Sequence, residues 1–138
     1  MGLFKKKINI NAIAEEGDVW FEKGDYLKAI EIWQKGLDSL KKPINLQSEA
    51  VWFYTSIADA HFMLGNYEKA YECLINAKSN VSGDGLFNPF ILMRLGQCCY
   101  ELNDENAKEY LLRAYMLAGK EIFESDDEKY FKYIEDII

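Results

Sequence analysis

The segment KGDYLKAIEIWQKG, residues 23–36, is answered by LGNYEKAYECLINA, residues 64–77. Gly24-Asp25-Tyr26 matches Gly65-Asn66-Tyr67, and Ala29 matches Ala70, 41 residues on. A third unit, ENAKEYLLRAY, sets Ala107 37 residues after Ala70. An internal repeat constrains a fold strongly, because each unit must bury its apolar face against its neighbours. Four positions after each alanine stands a bulky apolar residue: Trp33, Leu74 and Leu111. Three positions further stands a small one: Gly36, Ala77 and Ala114. Spacings of four and seven place all three on one face of a helix.

A second helix precedes each alanine. Tyr54, Ile57, Ala58 and His61 recur at i, i+3, i+4, i+7, and so do Leu92, Leu95, Gly96 and Cys99. Ile13, Glu16, Gly17 and Trp20 follow the same pattern with a charged lapse at Glu16. The third place is always small (Gly17, Ala58, Gly96), which lets a bulky residue of the partner helix press in.

These residues resemble the tetratricopeptide repeat, whose helix–turn–helix unit runs large-x₂-L-G-x₂-Y, then A-x₃-F. The resemblance covers about residues 10–115. It implies an all-α fold: a short right-handed α-solenoid of three such hairpins plus a C-terminal capping helix. Residues 1–138 then form a single domain, with repeat units at about 10–42, 46–80 and 88–123 and a cap at 126–137. The spacing exceeds the usual 34 residues, so KKPINLQ and NVSGDGLFNP read as lengthened loops between units.

Helices are expected at about 11–23, 26–40, 46–63, 67–79, 89–101, 105–123 and 126–137. Asn88-Pro89 reads as an N-cap followed by proline at the first helical position. Phe87 is placed to staple onto Leu92, and Asn45 to cap a helix starting near Leu46. Ser125 to Glu128, SDDE, has the form of a capping box opening the last helix. On that helix Tyr130, Ile134 and Ile137 share a face.

Composition excludes several classes. Hydrophobic residues are 49% and charged residues 28%, a globular balance rather than a disordered one. The net charge of -7 opposes nucleic-acid binding and favours a basic protein partner. Residues 101–138 carry eleven acids against five bases, a net of -6, while Lys5, Lys6 and Lys7 make the tip positive. The tip has no secretion-type apolar stretch, and Lys6 stands where a myristoylation site needs a hydroxyl. No apolar run approaches a membrane span. Cys73, Cys98 and Cys99 form no metal or redox spacing. A cytoplasmic protein is expected; the sequence leaves its oligomeric state open, with a monomer favoured.

No enzymatic chemistry is expected, and no cofactor or metal. His61, the one histidine, occupies a packing position. Adjacent Cys98 and Cys99 point about 100° apart on a helix. The acidic pairs Glu15-Glu16 and Asp126-Asp127 read as solvated surface or cap, and SGDG, residues 82–85, as a turn.

Stacked hairpins leave a curved inner wall lined by the first helix of each pair. The residues expected there, as a partner-binding groove, are Asp18, Glu22, Trp52, Asp59, Phe62, Phe90, Arg94, Gln97 and Tyr100. Aromatics supply anchors and acids select a basic partner. The Lys/Asn clamp of chaperone-docking members is absent, because Asp18, Asp59 and Gln97 stand at the matching places. The C-terminal stretch RAYMLAGKEIFESDDEKYFKYIEDII looks like that of small stand-alone immunity proteins of bacterial polymorphic toxin systems. That likeness implies a protein that binds and neutralises a cognate toxin domain by occluding its active site. The alternative is a chaperone or adaptor for a secretion-system effector.

Overall fold

A computed structural model describes residues 9–138. The lysine run Lys5–Lys7 and the Met1-Gly2 opening lie outside them. Among the described residues there are seven α-helices and no strand: α1 Ile10–Glu22, α2 Tyr26–Asp38, α3 Glu49–Met63, α4 Tyr67–Lys78, α5 Pro89–Glu101, α6 Ala107–Ala118 and α7 Glu128–Ile134. Short 3₁₀ turns stand at Ile44–Leu46, Lys120–Phe123 and Glu135–Ile137. Each helix packs on the next, and α3 also touches α5. The result is three stacked hairpins closed by α7, an all-α tetratricopeptide-like solenoid.

The bulky-on-small pattern builds each hairpin. A Cβ on Gly17 would collide with the indole of Trp33, whose Nε1–H donates to the Ala14 carbonyl at 3.1 Å. A Cβ on Gly96 would meet Leu111 Cδ2 at 2.6 Å. Ala58 and Leu74 share the middle cluster, both fully buried. Burying each of these large side chains stabilises the fold by about 1.5–3 kcal/mol. The next small position joins one hairpin to the next: the Phe53 ring of α3 fills the space beside Gly36.

The turn inside each hairpin is the same in all three units. Gly24 and Gly65 take φ of 80° and 78°. In the third unit Asn103 does so, with φ 58°; asparagine is one of the few L-residues that tolerates this region. Two backbone hydrogen bonds recur each time: Gly24 N to Phe21 O with Asp25 N to Trp20 O, Gly65 N to Phe62 O with Asn66 N to His61 O, and Asn103 N to Tyr100 O with Asp104 N to Cys99 O.

The starts of α1, α2 and α5 are capped by Asn9, Asp25 and Asn88, each side chain accepting backbone N–H groups of its first turn. Four expectations are corrected. Asn45 caps no α-helix: it lies in the 3₁₀ turn, its carbonyl accepts Val81 N–H, and α3 begins only at Glu49. Phe87 is 73% exposed and does not staple onto Leu92. The long sixth helix ends at Ala118, because Gly119 adopts φ 75°, ψ −171°. The last helix opens at Asp127, whose carboxylate accepts Lys129 N–H, rather than at Ser125. Its final turn is 3₁₀, so Tyr130 and Ile134 are buried while Ile137 is 47% exposed.

Closure of the far end rests on Glu101. Its Oε1 accepts the Tyr130 hydroxyl at 2.8 Å and pairs with Lys129 Nζ at 2.6 Å. Tyr130, Ile134 and Phe123 complete a buried cluster with Leu92, Met93, Leu111 and Ala114. The open end of the third hairpin is thereby covered.

Candidate functional site

The inner wall is formed by α1, α3 and α5, and the segment 122–126 borders it at the C-terminal side. Its near half is a cleft of about 330 Å³ lined by Ile10, Asn11, Ala14, Glu15, Glu49, Trp52 and Phe53. Trp52 stands edge-on to both Trp33 and Phe53, with centroids 5.7 and 5.4 Å away, yet stays 42% exposed. Its neighbours fix its orientation while leaving the outer edge free.

Carboxylates run along α1 beside this cleft. Glu15, Asp18 and Glu22 succeed one another at spacings of three and four, one helical face, and all are exposed. The ion pairs of the described residues involve other acids. Partial burial, then Glu22, then Glu15 push the Asp18 carboxyl above its ordinary range. The stripe is self-repelling and would gain from a cation brought by another molecule.

The far half is a smaller notch of about 210 Å³, between Thr55 and Asp59 of α3, Phe90, Met93, Arg94 and Gln97 of α5, and Ile122, Ser125 and Asp126. Arg94 organises it. Nε donates to Asp59 Oδ1 at 3.0 Å and Nη1 to Gln97 Oε1 at 2.8 Å, while the guanidinium sits 4.2 Å from the centre of the Phe62 ring. Burial raises the Asp59 carboxyl's pKa, the Arg94 charge and hydrogen bond oppose that shift, and Asp126 adds to it.

The nine expected groove residues therefore separate. Asp18, Glu22, Trp52 and Phe90 are exposed, Phe90 at 70%. Asp59, Phe62 and Arg94 are half-buried and joined to one another through Arg94. Two expectations are corrected. Gln97 is 1% exposed and forms part of the notch's back wall rather than an open surface. Tyr100 lies under the cap, with the Tyr130 and Tyr133 rings 5.3 and 5.1 Å away, and not among the groove-lining residues. Helix periodicity placed both on the inner stripe; it carried no information about where the chain returns after Gly119. Sequence reasoning also missed Glu49, Ile122 and Asp126 as wall residues.

Other groups are packed. His61 is half-buried, with Nδ1 3.5 Å from Asn66 Nδ2; burial, then Lys69, lowers its pKa. Burial pushes the Cys98 thiol up to about 12 and those of Cys73 and Cys99 to about 11, so all three stay protonated at neutral pH. Among the described residues no group of three or more His, Cys, Asp or Glu is placed to hold a metal ion. No helix there is long and apolar enough to cross a membrane.

No family model matches the chain, and no curated protein does. Among solved structures it is similar to one described as the first TPR of Spaghetti (RPAP3) bound to HSP90 peptide SRMEEVD. That likeness has a TM-score of 0.67 at 22% identity, and spans 93% of this chain and 91% of the other. At such identity the likeness concerns architecture, and with the repeated Gly/Asn turn and the bulky-on-small packing it fixes the fold as that of a three-hairpin tetratricopeptide-repeat solenoid.

Proposed function

We propose that this chain is a protein-binding helical-repeat module whose inner wall docks a partner, and that it acts as an immunity protein. In this reading it binds a cognate polymorphic toxin domain and occludes the toxin's active site. The observation that carries the reading is the half-exposed Trp52 beside carboxylates of α1 that lack ion-pair partners among the described residues. Nucleases and similar toxins gather basic residues around a phosphate-binding cleft. An acidic wall is steered onto such a cleft, and aromatic anchors slow its release. The contacts are assigned to Asp18, Glu22, Trp52 and Phe90, with Asp59, Phe62 and Arg94 shaping the far half. Gln97 contributes from the back wall.

The test is co-expression with the product of the adjacent gene, scored by growth and by co-purification. Rescue of growth together with a stoichiometric complex supports the reading. Rescue that survives Asp18→Lys with Glu22→Lys and Trp52→Ala overturns this wall as the docking surface. A partner that inhibits growth but neither binds nor is neutralised overturns the immunity role.

A second reading, a chaperone or adaptor for a secretion-system effector, draws on the HSP90 peptide bound in the similar structure. It requires binding to an extended segment rather than to a folded domain. Tight binding to the unfolded effector peptide alone decides in its favour.

A further inference from the structure

The notch in the far half of the inner wall holds a polar group that the fold leaves unsatisfied. Gln97 Oε1 accepts from Arg94 Nη1, which fixes the amide's orientation; turned over, two donors would face each other. Gln97 Nε2 is then a buried donor without an acceptor among the described residues, and it is shielded from water. A buried N–H in that state is costly and rare enough to need a reason. Beside it, Asp59 Oδ1 takes the Arg94 Nε–H, and among the described residues Oδ2 takes no side-chain hydrogen bond. Phe90, Met93 and Ile122 supply apolar walls.

We propose that this notch is a subsite for a primary carboxamide, the side chain of an asparagine or glutamine presented by a protein partner. The partner's C=O accepts from Gln97 Nε2, its NH₂ donates to Asp59 Oδ2, and its aliphatic stem lies against Met93 and Ile122. Nε2 is shielded as it stands, so the amide must turn about its last torsion, which is broad in glutamine, to meet the partner's carbonyl. That turn loosens the Arg94 Nη1 contact, a loss that the new hydrogen bond offsets. The cavity of about 210 Å³ has room for one side chain and not for a helix. Charge selects the same class. A carboxylate satisfies Gln97 and is drawn to Arg94, but it meets two acids, Asp59 and Asp126, against that one cation. An ammonium group suits those acids but leaves Gln97 unpaired and sits against the Arg94 guanidinium. A carboxamide offers acceptor and donor together and carries no charge.

This inference rests on the inner wall being the docking surface, but its test needs no partner protein. Propionamide, propionate and propylammonium are titrated, at equal ionic strength, into the ¹⁵N-labelled full chain. The Gln97 side-chain NH₂ signals and the Met93 backbone amide are followed by NMR. The expected result is a saturable shift with propionamide, half-saturating at about tenfold lower concentration than either charged probe, as one extra well-formed hydrogen bond provides. Q97L is expected to abolish the response at Met93. D59A, which keeps Gln97, is expected to raise half-saturation about tenfold and covers the case of a Q97L chain that does not fold. An equal or stronger response to propionate or propylammonium overturns the proposal. So does the absence of a saturable propionamide shift, its persistence in a folded Q97L chain, or an unchanged half-saturation in D59A. Failure here leaves the co-expression result standing, and failure of that experiment leaves this one readable.

Discussion

Arg94 on α5 reaches across the hairpin boundary to Asp59 on α3, Nε to Oδ1 at 3.0 Å, and so joins the second and third repeats on the side facing the groove. The pair is only partly exposed, with side chains at 23% and 37%. Burial outweighs the favourable Arg94 charge, and the Asp59 pKa stands above 3.8. Between 3.8 and that raised value the folded chain keeps a proton that the unfolded chain has released. The stability due to this group is therefore fully present below 3.8 and falls as pH rises through the raised value. Arg94→Met is expected to raise the midpoint further and Asp126→Asn to lower it, followed by ¹³C NMR of the Asp59 carboxyl. A midpoint that moves the other way in either variant contradicts the arrangement. In a double-mutant cycle read by urea unfolding, the Asp59–Arg94 coupling is expected to be about 1 kcal/mol or less, because the pair is screened by solvent.

Packing of Trp33 on Gly17 gives a sharper stability test. Gly17→Ala puts a methyl where the indole lies. It is expected to destabilise by about 1–3 kcal/mol, although alanine is the better helix former. Gly96→Ala, against Leu111, should behave alike. By contrast Gly24→Ala meets no neighbouring atom, so its cost comes from the positive φ alone and is expected to be about 1 kcal/mol. Urea midpoints at constant slope separate the two cases. A Gly17→Ala chain as stable as its parent would show that α1 can move away from α2.

These glycines also show how far the sequence was legible. The repeat of small and bulky residues fixed which helices pair, because Gly17, Ala58 and Gly96 each admit a large residue at a set spacing. The third turn was harder to read: Asn103 replaces the glycine, and only the backbone shows that it makes the same two hydrogen bonds. What followed Gly119 was not legible. Helical spacing in LLRAYMLAGKEIF continues through that glycine, and nothing local says that the chain turns there and buries Phe123. The burial of Gln97 and the position of Tyr100 depend on that turn. A helical face identifies an orientation and not what covers it, so periodicity alone puts both on the open wall.

Tyr130 and Glu101 provide a test of the closing helix. Tyr130→Phe removes the hydroxyl that Glu101 accepts but leaves the ring packed on Tyr100. A loss of about 0.5–1.5 kcal/mol is expected, since Lys129 still pairs with Glu101. Ile134→Ala, at a position with 0% exposure, is expected to cost about 2–5 kcal/mol. Hydrogen exchange should then show that the loss falls first on α7 and α6. Uniform loosening across α1 to α4 would mean that the cap is not a separate local unit.

The inner wall makes a different demand, for variants that weaken binding without weakening the fold. Phe90 is 70% exposed, so Phe90→Ala should change unfolding free energy by no more than about 0.5 kcal/mol. Trp52→Ala loses edge contacts to Trp33 and Phe53 and should cost about 1 kcal/mol. If these side chains anchor a partner, each is expected to raise Kd by about thirtyfold or more, mainly through faster dissociation. Asp18→Lys with Glu22→Lys acts on a separate kinetic step. The exposed charges steer approach, so this variant should slow association about tenfold at low salt, with the difference shrinking as salt rises. Surface plasmon resonance across a salt series distinguishes the two effects. An aromatic variant that slows only association, or a charge variant whose defect is independent of salt, would place the contact elsewhere on the solenoid.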